Sequence, residues 1–376
     1  MQKIKSQNLF LIIIFALVIT IPTLDSIFNF SPVKDLFEKR RPVEKPLPPE
    51  SLADLKTYPR KFEAFFNDNY GFRKTLIYWY NRITDKIFDE SPIARVSIGK
   101  DDWLYFDNND SLLDSEGKAP LSEELIEKGI KSFYRNWQSA KNQGVEYLLV
   151  IAADKSTIYP EFLPDYIKPA NNHRIDKFLT ALKKRYPDFP VLDLRPILLK
   201  AKEKEIVYQK TDTHWNRRGS QAAYVEMMKE LGKRNIQNAN FKPRLRKEFA
   251  DKADQYISGD IADMMGNGAT NLNYDVTPKF KLTAHPVDTS EEEKKFFHRP
   301  TSYVNSNKNL PRLFTYQDSY FGDLFEFVSQ HFSNSFYINE YPCDINLEII
   351  KKYHSNVVIQ EFWEGRIEFI LQGCKA

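Results

Sequence analysis

The chain has little cysteine and little histidine, and its positive and negative charges nearly cancel. Cys343 and Cys374 are its two cysteines among 376 residues, and its six histidines are scattered. Structural zinc sites need clustered cysteine and histidine ligands, so we expect no metal site. The 54 basic and 51 acidic residues give a net charge of +3 without a long basic run, which argues against nucleic acid as a partner.

Nucleotide-binding glycine patterns are also missing. Neither G-x-G-x-x-G nor a P-loop pattern occurs, so no cofactor is expected. With 42% hydrophobic and 28% charged residues, the composition is typical of a globular protein that can bury a core. The two late cysteines are compatible either with one disulfide or with two free thiols, and the sequence leaves both open.

An apolar segment follows two lysines at the N-terminus. Lys3 and Lys5 precede Leu9 to Leu24, a run that is apolar apart from two threonines. This pattern is typical of an export signal, and the lack of a clear small-x-small cleavage site favours an uncleaved anchor. We therefore expect residues 1–28 to attach the protein to the inner membrane, with the bulk in the periplasm. A cleaved signal peptide remains the alternative.

A proline-rich stretch comes next. Residues 29–50 contain five prolines among charges, a composition that cannot form a core and that predicts an extended tether. Residues 51–376 are then expected to form the functional domain. At its start, Leu52 to Phe88 has apolar residues at helical spacing and predicts one or two helices, broken at Gly71.

Apolar runs alternate with helical patterns through the rest of the chain. The runs that predict strands are Val145 to Ala152, Phe189 to Leu194, Arg312 to Tyr316, Ser335 to Asn339 and Asn356 to Phe362. Such alternation predicts an α/β fold in which a parallel sheet is flanked by helices on both faces. The alternation fails between Phe241 and Asn309, where we expect an inserted loop or a small β-extension.

Two short runs carry residues suited to acyl transfer. Asp212 and His214 are separated by one residue, and Ser319 follows the predicted strand from Arg312 to Tyr316. A serine hydroxyl becomes a good nucleophile when an imidazole takes its proton, and a carboxylate fixes the imidazole tautomer. Asp212, His214 and Ser319 are therefore candidate catalytic residues. Spacing alone leaves the alternative of ordinary loop and helix-start residues open.

The position of Ser319 adds a second argument. Ligands of open α/β sheets bind beyond the carboxyl ends of the strands, and Ser319 is predicted at such an end. The helical pattern that follows would place backbone N–H groups beside it, where they can stabilise an oxyanion.

An ordered set of motifs resembles the alginate O-acetyltransferase family, whose domains are similar to SGNH hydrolases but carry D-x-H before the serine. The matching segments, in the family's order, are Phe62 to Arg73, Ile98 to Tyr105, Lys155 to Glu161, Asp212 to Asn216, Ser258 to Ala262 and Asp318 to Tyr320. Three positions depart from the family pattern. Asp102 replaces a glycine, Tyr70 replaces a phenylalanine, and Gln317 replaces a glycine or arginine, which leaves substrate details open.

The resemblance implies an SGNH hydrolase-like fold and acetyl transfer, through a serine acyl-enzyme, onto hydroxyls of an exported polysaccharide. It also implies a membrane-bound O-acyltransferase as the partner that supplies the acetyl group. Lys155, Tyr159, Trp215 and Tyr320 are candidate substrate-binding residues, because they lie in or beside the matching segments; packing in a turn is the alternative for Tyr159. A carbohydrate acetylesterase and a noncatalytic polysaccharide-binding scaffold remain alternative functions.

Overall fold

The computed structural model describes residues 6–33, 42–88, 91–252, 256–266, 271–272 and 274–375. Its helices are α1 (Ser6–Phe28), α2 (Leu52–Asn69), α3 (Arg73–Phe88), α4 (Ser111–Ser115), α5 (Glu123–Lys141), α6 (Lys155–Ile158), α7 (Arg174–Arg185), α8 (Arg195–Lys202), α9 (Arg217–Gly232), α10 (Asp260–Met265), α11 (Glu291–Phe296), α12 (Phe325–Val328), α13 (Leu347–Lys352) and α14 (Ile367–Gln372). Its strands are β1 (Val96–Ile98), β2 (Leu104–Phe106), β3 (Glu146–Ala152), β4 (Val191–Asp193), β5 (Phe249–Asp251), β6 (Tyr256–Ile257), β7 (Asn271–Leu272), β8 (Val276–Pro278), β9 (Ala284–Val287), β10 (Thr301–Asn305), β11 (Arg312–Tyr316), β12 (Asn334–Ile338) and β13 (Val357–Trp363).

The chain divides into two compact units. Residues 1–96 and 260–270 form the first unit, and residues 97–259 and 271–376 form the second. The division groups residues 51–96 with the N-terminal helix, whereas the sequence analysis grouped them with the rest of residues 51–376. The predicted domain boundaries stay a prediction.

In the first unit, α1 is long and apolar enough to cross a membrane. The segment Asn8–Phe28 has a mean hydropathy of 2.4, and its side chains are almost all exposed. An N-terminal signal sequence would have the same length and composition. Farther along, α2 ends at Asn69 and α3 begins at Arg73, which confirms the predicted break at Gly71. A Cβ at Gly71 would lie 2.1 Å from the carbonyl oxygen of Pro22, so this turn requires glycine.

The end of α1 is hydrogen-bonded to that turn. Asp25, which is buried, accepts hydrogen bonds from the main-chain N–H groups of Ser31 at 2.6 Å and Phe72 at 2.7 Å. The Ser26 hydroxyl accepts from the N–H of Gly71 at 2.8 Å. The last turn of the apolar helix is therefore part of the folded unit.

Residues 42–50 are the later part of the predicted tether, whose residues 34–41 lie outside the described residues. They contain neither helix nor strand. The N–H of Val43 donates to Asp68 at 2.9 Å, and the Asn69 side chain donates to the Val43 carbonyl at 2.9 Å. This part of the segment is thus held against α2.

In the second unit, a seven-stranded sheet has the order β4-β3-β13-β11-β12-β10-β9. Strands β4, β3, β13, β11 and β12 are parallel, whereas β10 is antiparallel to both β12 and β9. The predicted parallel sheet with flanking helices is therefore confirmed for the centre. The region predicted as an insertion contributes β9 and β10, which extend the sheet at one edge. Antiparallel strands tolerate a solvated face, which explains why the apolar pattern of β9 and β10 is weak.

A hydrophobic cluster covers each face of the sheet. One cluster packs alternate residues of β3, among them Leu148 and Val150, against α8, α9 and α12. The other packs Tyr147, Leu149 and Ile151 against α5, α7 and α14. Cys343 and Cys374 belong to the second cluster and form a disulfide, which decides the question that the sequence left open.

The helical pattern expected after Ser319 is not a continuous α-helix. It contains an α-helix only over Phe325–Val328, between 3-10 turns at Ser319–Leu324 and Ser329–His331. The apolar residues of this stretch are buried on both sides. Each of these pieces is only one or two turns long, and over a single turn a period of 3.0 and a period of 3.6 give nearly the same apolar pattern, so the sequence could not separate them.

Candidate active site

In the loop before α9, the side chain of Asp212 contacts His214 of the same loop. Asp212 Oδ1 accepts a hydrogen bond from the His214 main-chain N–H at 2.9 Å and lies 2.8 Å from His214 Nδ1. A carboxylate accepts only, so the ring proton is on Nδ1 and Nε2 is left as an acceptor. The D-x-H spacing therefore fixes both the position and the tautomer of the imidazole.

Lys155 contacts this loop from its buried side. Its side chain is almost wholly buried, and Nζ donates to the main-chain carbonyls of Gln209 at 3.3 Å, Lys210 at 3.1 Å and Asp212 at 2.6 Å. Nζ also lies 5.4 Å from the centre of the Tyr105 ring. One cation thus satisfies three carbonyls of the loop that carries the candidate base and its orienting carboxylate.

Two further contacts shape the same loop. The Thr211 hydroxyl accepts from the N–H of Gly259 at 3.1 Å, and a Cβ at Gly259 would lie 2.3 Å from the Thr211 carbonyl, so the close approach requires glycine. The Asn216 side chain accepts from the N–H groups of Arg218 and Gly219. Asn216 is therefore the N-cap of α9.

Ser319 lies on a sharp turn at the carboxyl end of β11. Asp318 caps the 3-10 turn that begins at Ser319: its Oδ1 accepts from the N–H of Tyr320 at 3.0 Å. Its Oδ2 accepts from the N–H of Trp363 at 3.0 Å and from Arg366 Nε at 3.0 Å. The turn is therefore tied to the end of β13, and the Ser319 side chain remains exposed.

A second buried carboxyl group supports Asp318. Glu361 Oε2 accepts from the main-chain N–H of Asp318 at 3.1 Å. Burial and the nearby negative charge of Asp318 raise the pKa of Glu361 well above its ordinary range. Asp318 itself is paired with Arg366 at 3.0 Å.

The two loops meet at the candidate nucleophile. His214 Nε2 lies 2.8 Å from Ser319 Oγ, within hydrogen-bonding distance. Because Nδ1 carries the proton shared with Asp212, Nε2 can accept the Ser319 hydroxyl proton. The structure thus brings the three candidate catalytic residues together in the order that a nucleophile, a base and an orienting carboxylate require.

Tyr320 and Trp215 pack around His214. The Tyr320 ring lies 4.8 Å from the His214 ring and 5.4 Å from the Trp215 ring, and it stacks on Trp363 at 6.3 Å. Its hydroxyl donates to the Thr213 carbonyl at 2.9 Å. Both residues are largely buried yet border the cavity at Ser319. The geometry gives them an orienting role, and direct substrate contact stays a prediction.

Lys155 and Tyr159 lie deeper than the sequence analysis expected. Neither belongs to the described lining of the cavity at Ser319. Tyr159 is buried against Trp103, with ring centres 4.4 Å apart, and its hydroxyl accepts from the N–H of Val207 at 3.0 Å. Both side chains lie on the buried side of the loop that carries Asp212 and His214. Substrate contact by either one stays a prediction.

The cavity at Ser319 is open and has a volume of about 390 Å³. Charged groups form one wall. Arg217 pairs with Asp275 at 3.3 Å and with Glu326 at 3.1 Å, and its guanidinium covers the Phe327 ring at 4.8 Å. Asp323 also lines the cavity. Carboxylates and a guanidinium can bind sugar hydroxyls by accepting and donating hydrogen bonds.

The contacts between β13 and the turn that carries Ser319 were not predicted from the sequence. Glu361, Trp363 and Arg366 all contact Asp318, yet none belongs to a motif that was singled out. A signal was present, since the run of charged and aromatic residues from Glu361 to Arg366 covers the carboxyl end of β13 and the residues just after it. Polar residues directly after a buried strand are expected at the site edge of a parallel sheet.

Comparison with known families assigns this arrangement. Residues 96–304 match the family described as "SGNH hydrolase-like domain, acetyltransferase AlgX". The chain belongs to this family. The matched residues include Asp212 and His214 and end before Ser319, and the predicted membership of an SGNH-like acetyltransferase family is confirmed.

Curated relatives carry a related name. The chain is 29% identical over 168 residues to a protein of Pseudomonas syringae pv. tomato named "Probable alginate O-acetylase AlgJ", a match that covers 44% of this chain and 40% of that protein. The protein of the same name from Pseudomonas aeruginosa is 26% identical over 198 residues, covering 51% of this chain and 48% of the relative. The chain therefore spans less than half the length of these two relatives.

Among solved structures, PatB1 of Bacillus cereus with a sulfonyl adduct matches with a TM-score of 0.53 at 16% identity. The match covers 74% of this chain and 100% of that chain. At this identity the likeness concerns the fold. It agrees with the parallel sheet and flanking helices of the second unit and confirms the predicted fold class.

Proposed function

We propose that this protein transfers an acetyl group, through an acyl-enzyme on Ser319, onto hydroxyls of an exported polysaccharide. The observation that carries the proposal is the position of His214, whose Nδ1 lies 2.8 Å from Asp212 and whose Nε2 lies 2.8 Å from Ser319. The family assignment to acetyltransferase domains and the name of the relatives, alginate O-acetylase, support the direction of the reaction.

The first half-reaction acylates Ser319. His214 Nε2 takes the hydroxyl proton while Ser319 Oγ forms a bond to the acetyl carbonyl carbon. Collapse of the tetrahedral intermediate breaks the bond to the donor's leaving group, which takes the proton from Nε2. The main-chain N–H of Ser319 is the proposed oxyanion donor, because the next N–H, of Tyr320, already donates to Asp318 Oδ1.

The second half-reaction regenerates the serine. A sugar hydroxyl gives its proton to His214 Nε2 and attacks the acetyl ester, and Ser319 leaves with that proton. The product is an O-acetylated sugar. Water in place of the sugar would give free acetate, so an acetylesterase is the second candidate. The exposed side chain of Ser319, which water can reach, supports this alternative.

A noncatalytic scaffold is a weaker alternative. A scaffold would need neither the 2.8 Å contact between His214 and Ser319 nor the tautomer fixed by Asp212. Support for the acetyl supplier comes from resemblance: we propose a membrane-bound O-acyltransferase as the partner that delivers the acetyl group.

We also propose that α1 stays attached and anchors the protein to the inner membrane, with the second unit in the periplasm. The support is Asp25, near the end of α1, which accepts hydrogen bonds from Ser31 and Phe72. Cleavage after α1 would leave the N–H of Phe72 without this acceptor, at a cost of about 1 kcal/mol or more.

One experiment tests the proposed function directly. Full-length protein in nonionic detergent is incubated with an activated acetyl ester, with and without oligosaccharides, and protein and sugars are analysed by mass spectrometry. We expect one acetyl group on a peptide containing Ser319 and acetylated sugar as product. Ser319→Ala should lose both signals and keep its unfolding midpoint, since the exposed hydroxyl contributes little packing. Undiminished turnover by Ser319→Ala would remove Ser319 as the nucleophile, and free acetate as the sole product would favour the esterase.

A further inference from the structure

A second large cavity of the second unit lies away from Ser319. It has a volume of about 910 Å³ and is formed by the loops after α9, before β9 and after β10, together with the 3-10 turn Ser329–His331. Among the described residues it shares no lining residue with the cavity at Ser319. Val304 of β10 pairs with Asn334, the first residue of β12, so this cavity lies at the amino ends of β11 and β12. Ser319 follows the carboxyl end of β11, so it lies at the opposite ends of the strands.

Positive charge is concentrated in this cavity, which we call the basic groove. Its cationic lining residues are Lys229, Lys242, Arg244, Lys247 and Lys281. Glu248 is the one carboxylate among its described lining residues, and it is paired with Arg244 at 3.0 Å. The whole chain has 54 basic and 51 acidic residues, so this imbalance is local.

Three of the lysines are available to a ligand. Lys242, Lys247 and Lys281 are exposed, and among the residues that the structure describes none of them forms an ion pair. The positive surface continues into an adjoining cavity of about 480 Å³, which shares Lys281 with the groove and adds Lys308. The described lining of that second cavity includes no carboxylate.

The groove also offers apolar surface between its cations. Phe280 lies against the guanidinium of Arg244, with 4.8 Å between the guanidinium carbon and the ring centre, and Pro243 and Leu245 belong to the same lining. Apolar faces suit the C–H surfaces of sugar rings, while the lysines suit carboxylates. The volume lies within the range of roughly 300–1,000 Å³ found for ligand sites, and a concave groove fits a chain better than a flat membrane surface.

We propose that the basic groove binds a segment of an acidic polysaccharide, whose anionic groups pair with Lys242, Lys247 and Lys281. The groove lies at the amino ends of the strands and Ser319 lies at their carboxyl ends. The segment bound in the groove is therefore not the one that is acetylated. The groove retains the polymer, so that other segments of the same chain reach Ser319 at a raised effective concentration. This retention role rests on the proposed acetyl transfer, whereas the binding itself does not.

Binding is tested without catalysis. Full-length Ser319→Ala protein in nonionic detergent is titrated with polygalacturonate, with neutral mannan and with inorganic polyphosphate, at low and at high salt. We expect polygalacturonate to bind more tightly than mannan and to weaken with salt, because exposed ion pairs are screened. Adding Lys242→Gln, Lys247→Gln and Lys281→Gln should weaken its binding about tenfold, from the loss of three exposed pairs.

A matched control removes the same charge elsewhere. Lys131, Lys183 and Lys184 are exposed on α5 and α7, and Lys131→Gln with Lys183→Gln and Lys184→Gln should leave polygalacturonate binding unchanged. If both triple variants weakened polygalacturonate binding equally, the effect would come from net charge alone, which would contradict binding in the groove. Equal binding of mannan, or binding of polyphosphate without polygalacturonate, would overturn an acidic glycan as the occupant.

Catalysis then tests retention. In protein with Ser319 intact, we compare KM for a short uronate acceptor with KM for a long one. The ratio of the first KM to the second should fall about tenfold in the groove variant, because only the long acceptor is retained, and should stay constant in the control variant. A constant ratio in both would overturn retention. If no acceptor is acetylated while polygalacturonate binding persists, the proposed transferase function fails and the groove stands.

Discussion

The side-chain nitrogen of Lys155 lies 2.6 Å from the main-chain carbonyl oxygen of Asp212. The same amine also donates to the carbonyls of Gln209 and Lys210, so a buried cation fixes the path of the loop that carries Asp212 and His214. Buried carbonyls without a donor are costly, and a cation with three donors is the side chain that can satisfy all three. Lys155 therefore acts on the candidate site through the backbone.

Lys155→Met should lower both stability and rate. Methionine fills a similar volume but leaves the carbonyls without donors, which should reduce the free energy of unfolding by about 3 kcal/mol and acetyl transfer by about tenfold or more. Urea denaturation and ester turnover measure the two effects. Lys118→Met, at a side chain that is 63% exposed, should change neither. An unchanged rate in Lys155→Met would show that the loop keeps its geometry without the amine.

Asp212→Asn should damage rate far more than folding. The amide preserves shape, but it can donate to Nδ1 and so favour the tautomer whose proton lies on Nε2, opposite Ser319. In the serine-protease example this change costs on the order of 10⁴ in turnover. Single-turnover acetylation of Ser319, followed by mass spectrometry, measures the effect beside the urea unfolding midpoint. Turnover within about twofold of the wild type would exclude Asp212 as the orienting carboxylate.

Stability should depend on pH through Glu364. Burial raises the pKa of Glu364 to about 8 from its ordinary 4.5, against the opposing effect of Arg195. Between these values the folded state binds more protons than the unfolded state, so this group's contribution to stability falls as pH rises through the window. The loss is complete above about pH 8 and amounts to a few kcal/mol, since each tenfold difference in proton affinity between the two states corresponds to about 1.4 kcal/mol.

Glu364→Gln removes this titration. Its amide oxygen can still accept the N–H of Asp154, which Glu364 now binds at 2.6 Å. We expect the variant to gain stability relative to the wild type as pH rises from about 5 to about 8.5, measured by urea denaturation at constant ionic strength. Glu203→Gln, at an exposed position, should show a difference that does not vary with pH. The same flat difference in Glu364→Gln would contradict the raised pKa.

Location is tested by fractionation with N-terminal sequencing. If α1 anchors the protein, it should be found in the inner-membrane fraction with its N-terminal segment intact. Asp25→Ala should destabilise the first unit, because the N–H groups of Ser31 and Phe72 lose their acceptor. A soluble periplasmic protein that begins just after α1 would show a cleaved signal, and a cytoplasmic protein would contradict the proposed export.

Local patterns were enough for the centre of the fold. The strand from Arg312 to Tyr316 was predicted at its observed bounds, because a continuous apolar run marks a strand covered on both faces. The antiparallel strands β9 and β10 were predicted only as an inserted loop or a small β-extension, because they are partly covered and their apolar period is correspondingly weak.

The contact between Asp212 and His214 could be predicted from the sequence, because the two residues are two positions apart and the contact is local. The residues that surround this pair are set by long-range packing. His214 meets Ser319 across 105 residues, and Arg366 reaches Asp318 across 48. Periodicity reports which face of an element is buried and does not report its neighbour, because pairing of distant strands depends on the packing of the whole sheet.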